Sequence, residues 1–277
     1  MLQRAESNRK VSLSVLCLAL AVYVALNLTF VFVLFPTGAL ELLVTRTNGL
    51  VTATLIANVI CLAVVVGVVL CFLGGLRLSD LGLRSRDVPI ALVLTISVWI
   101  GVNGIEAAWQ LAATGSVSWD GAWPKLGVTA ALGALVAQLF GNALFEEILF
   151  RGVLLRQIYW RLETTLLQKF QRLTIALAIS QSLFALIHLP LLLSGRASLI
   201  AALAQLPVIF TAGVALAVLF ARSDNLALCV GIHSLANKPM LLVADWFDLP
   251  NNLLFVTVTC LGLAALWRGN KIAKRTT

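Results

Sequence analysis

Charge is the scarcest commodity in this sequence. Only 12% of its 277 residues are charged, against about a quarter in an average soluble domain. A water-soluble globule of this composition could not cover its apolar surface, and intrinsic disorder is excluded because there is too much to bury. Histidine occurs twice. No His-Glu-x-x-His is present, so no single helix offers a ready set of metal ligands. The five cysteines (Cys17, Cys61, Cys71, Cys229 and Cys260) form no Cys-x-x-Cys pair, and their odd number argues against a disulfide framework. Long polar stretches are missing too, which leaves no room for a soluble domain, and no internal repeat is evident.

What is present is apolar: 60% of residues, with a mean hydropathy of +0.99. A membrane helix needs about 20 mostly apolar residues, and eight runs approach this length: 11–35, 50–74, 88–113, 126–158, 173–193, 198–221, 226–244 and 251–267. The expected fold is an all-α polytopic membrane helix bundle of about eight transmembrane helices, forming one integral membrane domain over 1–277. Pro36, Pro89, Pro124, Pro190 and Pro250 stand at or beside run boundaries, while Pro207 and Pro239 lie within runs and predict kinks. The first run has a basic start but is longer than a signal-peptide core, so it reads as a retained helix. With eight spans and a cytoplasmic N-terminus, 15 of the 20 basic residues fall inside and Arg46, Lys125 and Arg196 outside. Both termini are then expected in the cytoplasm. The formal charge of +8 marks a membrane face and implies no nucleic-acid partner.

In such a chain the polar residues within spans are the informative ones, because they are costly there. They include Glu106, Glu146, Glu147, Arg151, Lys238, His188 and His233. Glu147 and Arg151 are four apart on one helix face, acid first, the favourable order for an ion pair. Glu146 lies about 100° around the helix, over Asn142 and Gln138, without a local counter-ion. A carboxylate so placed suits a proton shuttle. On the fifth run Phe184 and His188 are four apart, with Gln181 a turn away. On the seventh, His233 and Asn237 share a face, a plausible donor pair, with Cys229 one turn earlier as a packing residue. For each cluster the plain alternative is a hydrogen bond or ion pair that only holds the bundle together.

Glu-Glu-x-x-x-Arg, then Phe-x-x-x-His, then His-x-x-x-Asn on successive helices resembles the signature of the CPBP family. These are the CAAX proteases and bacteriocin-processing proteins, also called the Abi family of intramembrane endopeptidases. The matching residues are Glu146, Glu147 and Arg151; Phe184 and His188; His233 and Asn237. The resemblance covers residues 124–245. It implies a membrane-embedded endopeptidase in which Glu146 is the general base, His188 helps hold and activate a water, and His233 and Asn237 stabilise the oxyanion. It gives Glu147 and Arg151 a supporting role, with Phe184 packed beside the site. The implied substrate is a membrane-associated or prenylated peptide or protein, and the compact loops suggest a prokaryotic plasma membrane.

No cofactor is expected. The alternative is zinc held by Glu146, His188 and His233. Two other functions stay open on the sequence: a proton- or ion-coupled transporter, for which Asn103, Glu106 and Gln110 form a further polar stripe, and an inactive family member acting as an immunity or scaffold protein. The expected site is a polar cavity between the fourth, fifth and seventh runs, opening toward the cytoplasm. Counted from the helix ends, its residues should differ in depth by roughly 10 Å.

Overall fold

A computed structural model describes residues 9–121, 125, 127–195, 198–237, 240–244 and 249–273. Lys238, Pro239, Pro124 and Arg196 lie outside them. In lipid every backbone polar group needs an internal partner, so an apolar chain of this kind becomes helices. They are α1 (Leu13–Leu34), α2 (Glu41–Arg46), α3 (Ala53–Leu73), α4 (Val88–Thr114), α5 (Val128–Thr164), α6 (Lys169–Leu186), α7 (Leu189–Ser194), α8 (Leu199–Ser223), α9 (Leu226–Asn237) and α10 (Leu249–Ala273).

The starts and stops follow the local sequence. Ser12, Thr52 and Ser198 cap α1, α3 and α8 by accepting hydrogen bonds from Val15, Leu55 and Ala201 N–H groups. Pro89 sits in the first turn of α4, and Gly115 ends it in the left-handed region at φ 73°. Pro207 is carried inside the continuous α8. Wide i→i+5 turns interrupt α5 at Gln138–Asn142 and again at Glu147–Leu155. Such turns collect at functional sites, and here they flank Glu146.

Among the described residues six stretches are long and apolar enough to cross a membrane, and α9 and Phe255–Trp267 of α10 are shorter apolar pieces. The chain is an all-α, multi-pass integral membrane protein. Large apolar side chains such as Phe72, Ile200 and Phe170 face outward, as lipid contact requires. The seventh run departs from expectation. The described helix ends at Asn237 after 12 residues, about 18 Å at 1.5 Å per residue, and residues 240–244 are not helical, with Met240 in the left-handed region at φ 51°. Their backbone bonds both to α4 and to the loop after it, where Asp120 N–H donates to the Leu242 carbonyl and Ala244 N–H to the Ser118 carbonyl, each at 2.9 Å. Trp99 Nε1 donates to the Met240 carbonyl (3.1 Å), Leu242 N–H to Asn103 Oδ1 (2.7 Å) and Gln110 Nε2 to the Ala244 carbonyl (2.6 Å). Gln110 Oε1 also accepts from Ser118 N–H at 2.8 Å. The polar stripe that suggested an ion relay thus serves an unwound segment, at Asn103 and Gln110, with Glu106 buried in the same row.

One end of the bundle is tied by charge. Asp224, at φ 55° just after α8, accepts from Arg156 at 2.6 Å and Arg84 at 2.9 Å. Small residues allow close helix approach. A Cβ on Gly213 of α8 would lie 2.8 Å from Gln181 Oε1 and 2.9 Å from Phe184 Cδ1 of α6, so this glycine brings α8 against the helix that carries His188.

Candidate active site

The second half of α5 is buried on every side: Phe145, Glu147, Leu149, Phe150 and Arg151 expose essentially nothing. Burial of this kind forces the ionic groups to find partners. Arg151 Nη1 lies 3.0 Å from Glu147 Oε1, the ion pair predicted by their spacing. The guanidinium also donates from Nη2 to the Gly213 carbonyl (3.2 Å) and lies over the Phe184 ring at 4.2 Å. Phe184 therefore packs against the Arg151 end of the ion pair and beside both histidines, with ring centroids 4.8 Å from His188 and 6.1 Å from His233.

Glu146 points the other way, as its position a third of a turn from Glu147 requires. It is 4% exposed. Its Oε1 is 3.8 Å from His188 Nε2 and its Oε2 3.5 Å from His233 Nε2. Oε2 makes no hydrogen bond. The roughly 10 Å depth spread anticipated from counting along straight helices does not occur. The wide turns in α5 alter its residue spacing, and α6 ends in a turn at His188 rather than continuing straight.

The two imidazoles have different second partners. His188 Nδ1 lies 2.7 Å from the Phe184 carbonyl. A carbonyl only accepts, so Nδ1 carries the proton and the neutral ring leaves Nε2 as an acceptor toward Glu146. His233 Nδ1 lies 2.8 Å from Glu147 Oε1. Glu147 is held as a carboxylate by Arg151, so this Nδ1 donates as well. The supporting pair thus orients His233 directly, a contact that spacing within α5 could not reveal. Asn237, the last residue of α9, donates from Nδ2 to Gln138 Oε1 at 2.9 Å, and Asn142 Nδ2 lies 3.5 Å from the same oxygen.

Part of this set lines a cavity of about 420 Å³, whereas His233 lies behind its wall. It contains Glu146, His188 and Asn237, and also Tyr23 and Asn27 of α1, and Thr54 and Asn58 of α3. Sequence reasoning placed the cavity between α5, α6 and α9 alone. The missed residues had a signal: Tyr23 and Asn27, and Thr54 and Asn58, are polar pairs four apart in otherwise apolar runs. The lining also bears on the expected opening. Along α1, α3 and α5 the lining runs from buried Tyr23, Cys61 and Glu146 to Phe35, Thr54 and Gln138. Those residues lie toward the bundle end opposite the start of α1. Toward the start of α1, Glu147, Phe150 and Arg151 close the cavity. Cytoplasmic termini and a cytoplasmic opening therefore cannot both hold.

Zinc ligation would need three donors converging on one point. Among the described residues no group of three or more His, Cys, Asp or Glu side chains is arranged to hold a metal ion.

The family comparison agrees with the motifs: residues 128–238, from the first residue of α5 to just past α9, match the model described as Rce1-like, type II CAAX prenyl endopeptidase. No curated protein and no solved structure matches the chain. The segment that carries Glu146, His188, His233 and Asn237 is thus similar to the Rce1-like family of type II CAAX prenyl endopeptidases, a match that supports a membrane-embedded protease.

Proposed function

We propose that the protein hydrolyses a peptide bond of a membrane-associated or lipidated peptide, using a water activated by Glu146 without a metal. The observation that carries this reading is the pair of acceptors at the cavity floor. Glu146 Oε1 and His188 Nε2 are 3.8 Å apart, too far for a direct hydrogen bond and suited to one bridging water. A water donating one proton to each directs its oxygen lone pair into the cavity, toward a substrate carbonyl.

Attack forms the carbon–oxygen bond, and the water's proton passes to Glu146. The same carboxyl then gives that proton to the amide nitrogen as the carbon–nitrogen bond breaks. The developing oxyanion needs donors. Asn237 Nδ2 is one, once the carbonyl displaces its contact with Gln138. His233 Nε2 is the other when the ring is doubly protonated. Two carboxylates flank that ring at 2.8 and 3.5 Å and the Arg151 guanidinium pairs with one of them, so an imidazolium leaves this group of four neutral. Each oxyanion donor is worth about 100- to 1,000-fold in rate. The compact loops favour a prokaryotic plasma membrane as its location.

The test is to reconstitute wild type and Glu146→Gln into bilayers and follow cleavage of a panel of membrane-anchored peptides by mass spectrometry. Cleavage by wild type alone is expected. Equal cleavage by both would overturn the assignment of Glu146.

A further inference from the structure

The two donors carried by α9 are held in different ways. His233 is buried and bound to Glu147 at 2.8 Å. Asn237 is exposed and ends the helix. Its side chain rests on Gln138 Oε1 at 2.9 Å, the contact that a substrate carbonyl would displace. The last turn of a helix frays, because its carbonyls lack helical partners. A contact other than that with Gln138 must therefore hold this end of α9 during the reaction.

Helix α4, which lies outside the segment matched by the family, supplies it. Thr95, Trp99, Asn103 and Gln110 fall within an arc of about 80° at 100° per residue, and each meets α9 or the chain after it. At Gly231 the two helices touch: a Cβ there would collide with Thr95 Oγ1. Three residues past Asn237, the Met240 carbonyl accepts from Trp99 Nε1 at 3.1 Å. Leu242 N–H donates to Asn103 Oδ1 at 2.7 Å, and Asn103 Nδ2 is itself fixed on the Trp99 carbonyl at 2.9 Å. Buried Gln110 joins the Ala244 carbonyl at 2.6 Å to Ser118 N–H at 2.8 Å. The chain just beyond α9 is thus gripped by three side chains of α4 and by the loop at 118–120.

We propose that this row of α4 positions Asn237. Trp99 and Asn103 hold the chain beyond α9, so that Asn237 Nδ2 stays aimed at the oxyanion once its contact with Gln138 is displaced. Neither residue lines the cavity, so both act through Asn237. This accounts for polar groups whose place in an apolar span is otherwise costly. The effect on rate rests on the protease reading above, whereas the tether on α9 does not.

The test compares wild type, Asn103→Leu, Asn103→Asp, Asn237→Ala and Asn103→Leu/Asn237→Ala, reconstituted into bilayers with one cleaved membrane-anchored peptide. Asn103→Leu removes the acceptor for Leu242 N–H. It should lower kcat about 10- to 100-fold with little change in KM, since a misplacement of about 1 Å can cost about 100-fold. Asn103→Asp keeps an oxygen at that place in either protonation state and should recover most of the rate. In the Asn237→Ala background the Leu change should cost little more, because the group it positions is already gone. An equal loss in both backgrounds, or wild-type kcat in Asn103→Leu, overturns the proposal. If Asn103→Leu is lost from the membrane, Trp99→Phe, which deletes the N–H to the Met240 carbonyl, replaces it in the same cycle. Amide hydrogen exchange reads the tether without turnover. Residues 234–237 should exchange faster in Asn103→Leu than in wild type, with α5 unchanged, and equal exchange refutes the tether even in an inactive protein. Faster exchange in a protein whose wild type cleaves nothing upholds the tether and overturns the protease reading alone.

Discussion

Replacing Arg151 by Met should destabilise the protein far more than replacing it together with Glu147. Both side chains are completely buried, with their charged atoms 3.0 Å apart. Removing one partner of such a pair leaves an uncompensated buried charge, at a cost of about 3–5 kcal/mol. Loss of the guanidinium from the face of Phe184, 4.2 Å away, adds about 0.5–2 kcal/mol. In Glu147→Gln/Arg151→Met the stranded carboxylate is gone, and the amide oxygen can still accept from His233 Nδ1. The double variant should therefore recover about 2–3 kcal/mol of the loss, at the upper end of pairwise couplings between touching residues. Denaturation of the wild type, both single variants and the double variant in detergent gives the coupling energy directly. Arg151→Met lying within about 1 kcal/mol of wild type, or the two single losses simply adding, would refute the ion-pair argument. The 2.8 Å contact from His233 to Glu147 also predicts that the double variant keeps detectable turnover, since the ring remains oriented.

Three further outcomes follow. Asn237→Ala should lower kcat by about 100- to 1,000-fold with little change in KM, while Gln138→Ala, which removes only the partner holding that amide, should have a smaller effect; steady-state kinetics on one cleaved peptide separates them. Gly213→Val should destabilise the fold by about 1–3 kcal/mol or more by overpacking, because a Cβ there meets Gln181 Oε1 and Phe184 Cδ1 at under 3 Å; thermal unfolding of the purified variant checks it. Exhaustive dialysis against a strong chelator should leave the rate unchanged, whereas loss of activity restored by added zinc would mean that a metal takes part.

The parts of the site legible in the sequence were those set by spacing on a single helix. The spacing of four from Glu147 to Arg151 implied the ion pair, and adjacency put Glu146 on another face. Phe184 and His188 meet, as their spacing implied, with the rings edge to face. What spacing cannot report is which helices are neighbours. The contact of His233 with Glu147 joins positions 86 apart in the chain, and that of Asn237 with Gln138 joins positions 99 apart. The walls supplied by α1 and α3 were likewise hidden, although Tyr23, Asn27 and Asn58 stand out once polar residues in every span are weighed. Residues 240–244 illustrate a second limit. Their apolar composition reads as the end of a helix, but α4 offers Trp99, Asn103 and Gln110 as hydrogen-bond partners, and tertiary bonds replace helical ones.

The central claim is that Glu146 and His188 act on one water as a unit. The most direct measurement is a double-mutant cycle on kcat with Glu146→Gln, His188→Gln and the double variant, using one bilayer-reconstituted peptide substrate. Each single change should lower kcat by about 100- to 10,000-fold, and the double variant should be scarcely worse than the weaker single one, because groups that act together do not add. Near-wild-type turnover in Glu146→Gln, or losses that multiply in the double variant, would contradict the account.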